Sequence, residues 1–140
     1  MQLQTPPRYS ALKHKGKPLY YYARRGIDVT KPPREIDIDV LQRIDGNFGL
    51  SGNEAELSLK IVCSKGTYIR TLAADIGEFL GCGAHLVQLR RKKSGCFSVD
   101  SGLTIDDFAA DDAKSRFLAK MLSVEEVGKL LQLSKELDRV

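Results

Sequence analysis

The sequence predicts an α+β chain, and three observations carry that prediction. Two alternating apolar runs are separated by a turn-rich stretch, an amphipathic helical run follows them directly, and helix-start signals recur toward the C-terminal end. Pro6-Pro7 opens the chain extended, because proline withholds a backbone donor and biases its predecessor away from the helix. No regular element is expected before it. Pro18 at a first-turn position, the stretch Leu19 to Arg25 and Gly26 as a stop predict a short helix whose Tyr20, Tyr21 and Tyr22 point in three directions, so that at least one is exposed. Ile36, Ile38 and Val40 alternate with Asp37 and Asp39, the period of a half-buried strand. Asp45-Gly46-Asn47-Phe48-Gly49 and Ser51-Gly52-Asn53 then reverse the chain. Ala55, Leu57, Leu59, Ile61 and Cys63 form the clearest alternation in the sequence and the expected antiparallel partner of the first strand.

Ile69, Leu72, Ala73, Ile76, Phe79 and Leu80 follow three-and-four spacing and stop at Gly81, which predicts a helix packed on the sheet. His85 to Arg91 reads as a further strand, Lys92 to Gly95 as a turn and Cys96 to Val99 as its return. Thr104 with Asp106 and Asp107, and Ser123 with Glu126, mark the starts of two C-terminal helices.

At 140 residues, 42% hydrophobic and 29% charged, the chain fits one folded domain or a piece of one. No signal-peptide core opens it and no eighteen apolar residues run together, so the expectation is a cytoplasmic protein with no membrane partner. Cys63, Cys82 and Cys96 form no C-x-x-C pair, and are expected to be small, mostly buried hydrophobes. His14 and His85 stand without a Ser or Cys elbow. There is no G-x-G-x-x-G, Walker or zincin pattern, which leaves metal and nucleotide-cofactor chemistry unsupported. The net charge of +4 is unevenly spread: Arg8 to Arg34 holds eight Lys or Arg against the single acid Asp28, and Arg90-Arg91-Lys92-Lys93 adds four more. Segregated positive charge favours a polyanion, RNA or DNA, although a solvated face without a partner has the same composition.

The segment Ser64-Lys65-Gly66-Thr67-Tyr68-Ile69-Arg70 joins the best strand to the best helix. A helix N-terminus carries partial positive charge and usually attracts acids, yet Lys65 and Arg70 stand here, so the site asks for an anion. A nucleic-acid phosphate or a carboxylate from elsewhere would serve, since arginine can clasp either with two parallel bonds. Tyr68 could stack on a base. The plainer alternative makes Tyr68 a half-buried rim residue and Arg70 a surface ion-pair partner.

These residues also carry a resemblance. Thr5-Pro6-Pro7-Arg8-Tyr9-Ser10-Ala11-Leu12-Lys13, Gly16-Lys17-Pro18-Leu19-Tyr20 and Ala23-Arg24-Arg25-Gly26-Ile27 resemble the first signature of bacterial tRNA pseudouridine synthases of the TruB family. Cys63 to Arg70, Asp75, Gly77, Leu80-Gly81-Cys82-Gly83-Ala84-His85 and Leu89-Arg90-Arg91 resemble the second. The resemblance runs over residues 5 to 108. It implies the pseudouridine synthase fold, a mixed, largely antiparallel sheet flanked by helices, in part: residues 1–108 as the C-terminal portion of the catalytic domain and 109–140 as a helical extension.

It further implies isomerisation of a uridine in the tRNA T-loop by a catalytic aspartate, without a cofactor. Tyr68 would line the uracil pocket, Arg70 would pair with the aspartate, and Leu89 would form an apolar wall. Tyr9, Ser10, Lys13, Lys65, Arg90 and Arg91 are the further candidates for substrate contact, with Lys15, Lys17, Arg24, Arg25, Lys92 and Lys93 as additional phosphate ligands. The upstream L-D-P motif bearing the aspartate, and a second active-site tyrosine, have no counterpart here. The expectation is therefore a truncated or split enzyme, inactive by itself and prone to self-association through uncovered surface. The alternative is a non-catalytic RNA-binding module derived from the same family.

Overall fold

The computed structural model describes residues 1–45 and 55–137. The chain forms two units, residues 1–87 and 88–140. The first contains strands β1 (Gln2–Gln4), β2 (Lys13–His14) and β3 (Lys17–Pro18), helix α1 (Leu19–Ala23), strands β4 (Arg34–Ile36), β5 (Ile38–Arg43) and β6 (Leu59–Cys63), and helix α2 (Ile69–Phe79). The second contains strands β7 (Lys93–Ser94) and β8 (Phe97–Ser98), a 3-10 turn (Val99–Ser101), and helices α3 (Ile105–Ala109), α4 (Ala113–Lys120) and α5 (Val124–Leu137). The α+β class holds. Its β part, among the described residues, is four two-stranded antiparallel ribbons: β1 with β4, β2 with β3, β5 with β6, and β7 with β8.

In the first unit the expected pairing of the two alternating runs is present, with Ile38 opposite Cys63, Leu41 opposite Ile61 and Arg43 opposite Leu59. The turn at Gly46 to Asn53 lies outside the described residues. The first run is not one strand, however. It breaks at Asp37, because residues 34–36 pair with β1 while residues from Ile38 onward pair with β6, and the register is irregular between Ile38 and Val40. β1 itself was not expected. It is a strand without β-branched residues, ordered by a partner thirty or more positions along the chain, with Gln4 opposite Arg34.

The β2–β3 hairpin turns through Lys15 (φ 47°) and Gly16 (φ 79°), the two consecutive left-handed residues that a two-residue hairpin loop needs. The expected first helix forms but is shorter, with Pro18 as its N-cap and Arg24 as its C-cap. Its leading N–H groups, on Leu19 and Tyr20, donate to the carbonyls of Leu12 and Ser10 at 2.8 and 3.1 Å. Leu19 is buried with Ile36 and Leu72 in the small core, and Tyr20 is exposed.

Helix α2 takes the predicted place, with Gly81 left-handed beyond its end. The chain then folds back over the last turn, so that Cys82 and Gly83 N–H donate to the Gly77 carbonyl at 3.2 and 2.9 Å. Packing on the strands is partial. Leu72 and Ile76 border an open cleft of about 470 Å³ with Leu3, Leu41, Leu57 and Leu59, and Phe79, expected on the buried stripe, is 89% exposed.

The hairpin expected beyond α2 is displaced. His85 to Arg91 forms no strand, since the run finds no pairing partner among the described residues, and the ribbon consists of residues 93–94 and 97–98 around left-handed Gly95. Both predicted C-terminal helix starts are found. Thr104 and Asp107 form a reciprocal capping box, and Ser123 N–H donates to Glu126 while Glu126 N–H donates to the Ser123 hydroxyl. Helix α4 between them was not anticipated. It is tied to α3 through Asp107, which accepts from Arg116 and Lys120 at 3.3 Å each. The backbone N–H of Thr104, then its hydroxyl, then these two cations hold the Asp107 carboxyl well below the usual carboxylate range.

The cysteines depart from expectation: Cys82 is exposed, and Cys63 and Cys96 are half-buried. Among the described residues no helix is long and apolar enough to cross a membrane, and no three His, Cys, Asp or Glu side chains gather where a metal could bind.

Candidate functional site

Tyr68 stands at the joint between β6 and α2, as the N-cap of the helix in extended conformation. The loop leading to it is fixed by its own polar groups. Ser64 N–H donates to the Asp37 carbonyl at 2.9 Å, Asp37 N–H donates back to the Ser64 hydroxyl at 3.0 Å, and the Thr67 hydroxyl donates to the Ser64 carbonyl at 2.9 Å. Gly66 is left-handed (φ 89°), and a Cβ there would sit about 3.2 Å from the Arg34 guanidinium, which donates to the Gly66 carbonyl. The left-handed backbone at this position favours glycine.

Two residues that sequence reasoning passed over hold Tyr68. The buried amide of Gln4 accepts from Tyr68 N–H at 2.7 Å and donates to the Tyr68 carbonyl at 3.1 Å. Arg34 places its guanidinium carbon 5.0 Å from the centre of the Tyr68 ring, a cation over an aromatic face. Neither role has a local sequence signal, because each contact joins residues more than thirty positions apart.

Arg70 lies in the first turn of α2 as expected, and it is exposed, as its plainer reading had it. It donates to the Tyr9 carbonyl at 2.6 Å, and no carboxylate among the described residues lies within ion-pair distance of it. Through this bond Tyr9 is brought to the head of α2. Tyr9 is 55% exposed, whereas neighbouring Ser10 is 5% exposed, with its hydroxyl unpaired among the described residues. Lys65 is exposed on the loop before Tyr68, and Lys13 is exposed on β2. Leu89, Arg90 and Arg91 belong to the second unit and are exposed on a segment without regular structure.

The basic N-terminal segment folds into a cationic aromatic face. Lys17 donates to the Tyr21 hydroxyl at 2.9 Å, Arg25 lies 3.6 Å from the centre of the Tyr21 ring, and Arg24 lies 5.4 Å from that of Tyr20. The hydrogen bond from Lys17 is the main reason the Tyr21 phenol ionises below its ordinary range. Tyr22 faces inward, donating to the His14 carbonyl at 3.0 Å with its ring edge-on to that histidine. Guanidinium and ammonium groups laid against tyrosine rings can meet phosphates while leaving ring faces for bases.

Fold and site together define an α+β protein with an anchored tyrosine at a strand-to-helix joint and a separate cationic aromatic face suited to a polyanion. Comparison with known proteins identifies the group. The family model described as "TruB family pseudouridylate synthase (N terminal domain)" matches residues 1–69, and that described as "tRNA pseudouridylate synthase B C-terminal domain" matches residues 70–133. The chain belongs to the TruB family. A "tRNA pseudouridine synthase B" of Desulfotalea psychrophila is 59% identical over 131 residues, which cover 94% of this chain and 53% of that protein. Proteins of the same name from Bordetella pertussis and Syntrophus aciditrophicus are 50% and 40% identical, over 83% and 88% of this chain and 46% and 38% of their own lengths. The chain thus spans about half the length, or less, of these curated relatives.

Proposed function

We propose that this chain is the uracil-pocket and RNA-binding portion of a cytoplasmic tRNA pseudouridine synthase acting on a uridine of the T-loop. Residues 1–108 serve as the C-terminal portion of its catalytic domain and residues 109–140 as a helical extension. The reaction breaks the N1–C1′ bond and joins C1′ to C5; the C5 proton leaves to solvent and N1 takes one up. An ionised aspartate from outside this sequence acts as nucleophile. Arg70 holds that carboxylate charged and oriented and Tyr68 lines the pocket for the flipped base; Leu89 keeps the apolar-wall role that the family resemblance gives it. Tyr9, Lys13, Lys65, Arg90 and Arg91 contact the substrate RNA; Ser10, expected among them, is buried and supports Tyr9 from behind as its chain neighbour. No cofactor takes part.

The observation that supports this reading most is the state of Arg70. It sits beside an anchored tyrosine at the head of α2 with no carboxylate partner among the described residues. Fusing ahead of this chain the part of the Desulfotalea psychrophila relative that the chain does not cover tests it. Tritium release from tRNA carrying [5-³H]uridine should be robust in the fusion, absent in the chain alone, and strongly reduced by Arg70→Gln in the fusion. Turnover by the isolated chain would refute the missing nucleophile. The proposal extends to self-association through the apolar cleft bordered by Leu3, Leu41 and Leu59. Light scattering that stays monomeric across concentrations removes that part.

A further inference from the structure

Tyr68 is held from two sides by one cross-strand pair. Gln4 and Arg34 face each other in the β1–β4 ribbon. Gln4 grips the backbone of Tyr68 through both its donor and its acceptor, at 3.1 and 2.7 Å, and Arg34 covers the ring at 5.0 Å while donating to the Gly66 carbonyl two residues before it. A neighbouring strand would ordinarily supply that donor and acceptor. Here a side chain does so, and a terminal amide carries one donor end and one acceptor end on a single planar group. Gln4 is only 2% exposed, so its amide has no ready exchange with water, and the pairing is correspondingly hard to give up.

We infer that Gln4 and Arg34 are positioning residues for the pocket tyrosine, Gln4 fixing where its backbone enters the helix and Arg34 fixing the tilt of its ring. This rests on the pocket role proposed for Tyr68. A pocket that receives a base only after it has left its stack gains rate from a ring already in place, whereas initial RNA affinity comes mainly from phosphate contacts. The two effects therefore separate. A mere tether of β1 to α2 would alter folding; a positioning pair alters the chemical step.

The test uses the fusion described above together with NMR on the full chain. Gln4→Met keeps length and volume but removes both bonds; it should lower kcat about 10- to 100-fold while KM for tRNA stays within about twofold. In the chain alone the Tyr68 amide should lose its protection from hydrogen exchange selectively, with the β5 and β6 amides unchanged. Gln4→Glu keeps the acceptor for Tyr68 N–H and should retain amide protection with an intermediate kcat, which serves if the methionine variant folds poorly. Arg34→Met should shift the Tyr68 ring signals and lower kcat without releasing the Tyr68 amide. Unchanged kcat in Gln4→Met despite a released amide, or a kcat loss matched by loss of protection across the whole unit, would overturn the inference. A wild-type fusion without turnover would instead overturn the proposed function, and the amide and ring signals would still decide whether the pair holds Tyr68.

Discussion

Replacing Gly77 by alanine tests how tightly the chain beyond α2 is wrapped onto it. A Cβ at this position would lie 2.1 Å from the Ala84 nitrogen and 2.3 Å from the Gly83 carbonyl carbon, both backbone atoms. Ordinary contact between such atoms is about 3.5 Å or more, so the 83–84 backbone must retreat by more than about 1 Å. That retreat strains or breaks the two bonds that Cys82 and Gly83 donate to the Gly77 carbonyl. Overpacking of this kind costs about 1–3 kcal/mol, and each bond lost adds about 1 kcal/mol. Alanine returns about 1 kcal/mol through its better helix propensity. The net is a destabilisation of about 2–4 kcal/mol, a fall in melting temperature on the order of 10–20 °C. The chain has no tryptophan, so circular dichroism at the helical minimum is the appropriate probe. Gly128→Ala in α5 is the internal control: nothing lies within 4 Å of the added Cβ, and the same substitution should stabilise by up to about 1 kcal/mol. A Gly77→Ala protein melting at or above the wild-type temperature would refute the wrapped loop.

The depressed Asp107 carboxyl contributes stability that is present above the ordinary carboxylate range, near pH 4, and is lost as pH falls toward its folded value. Asp107→Asn should therefore melt earlier than wild type at pH 7, with the difference shrinking below about pH 4; melting curves across pH check this, and a pH-independent difference would contradict it. Lys15→Asn should stabilise the β2–β3 hairpin by about 0.5–1 kcal/mol, because asparagine tolerates the left-handed backbone better than lysine. Chemical denaturation reads that out, and a loss of stability would count against the turn geometry. Replacing Lys17, Arg24 and Arg25 together by glutamine should weaken tRNA binding across sequences and reduce the salt slope by about 2–3 units; a slope already flat in the wild type would remove the phosphate contacts.

Legibility in the sequence followed the range of the interactions. The β5–β6 pairing was readable because alternation is a local consequence of a pleated strand with one wet face. Helix α2 was readable from its spacing and stop, and the starts of α3 and α5 from residues that bond three positions along. β1 was not, since its strand character comes wholly from a distant partner. The His85 to Arg91 run misled for the converse reason: strand-like composition with nothing to pair against stays irregular. At the site, Tyr68 and Arg70 stood out because cations at a helix head break a local electrostatic rule. Gln4 and Arg34 did not, since a buried amide meeting a backbone sixty-four positions away leaves no mark in its own neighbourhood. For Arg70 the sequence left a clasped anion and a surface position both open, as burial depends on what surrounds a side chain.

The single residue Asp37 separates two ribbons with different tasks. Only three residue pairs zip β1 to β4, while five join β5 to β6, so the shorter ribbon is the one that can fray without melting its neighbour. Gln4 stands at the end of that shorter ribbon, so its two bonds to Tyr68 also clamp the end of β1. A substitution that loosens this three-residue strand is thereby expected to reach the joint from which the aromatic ring projects.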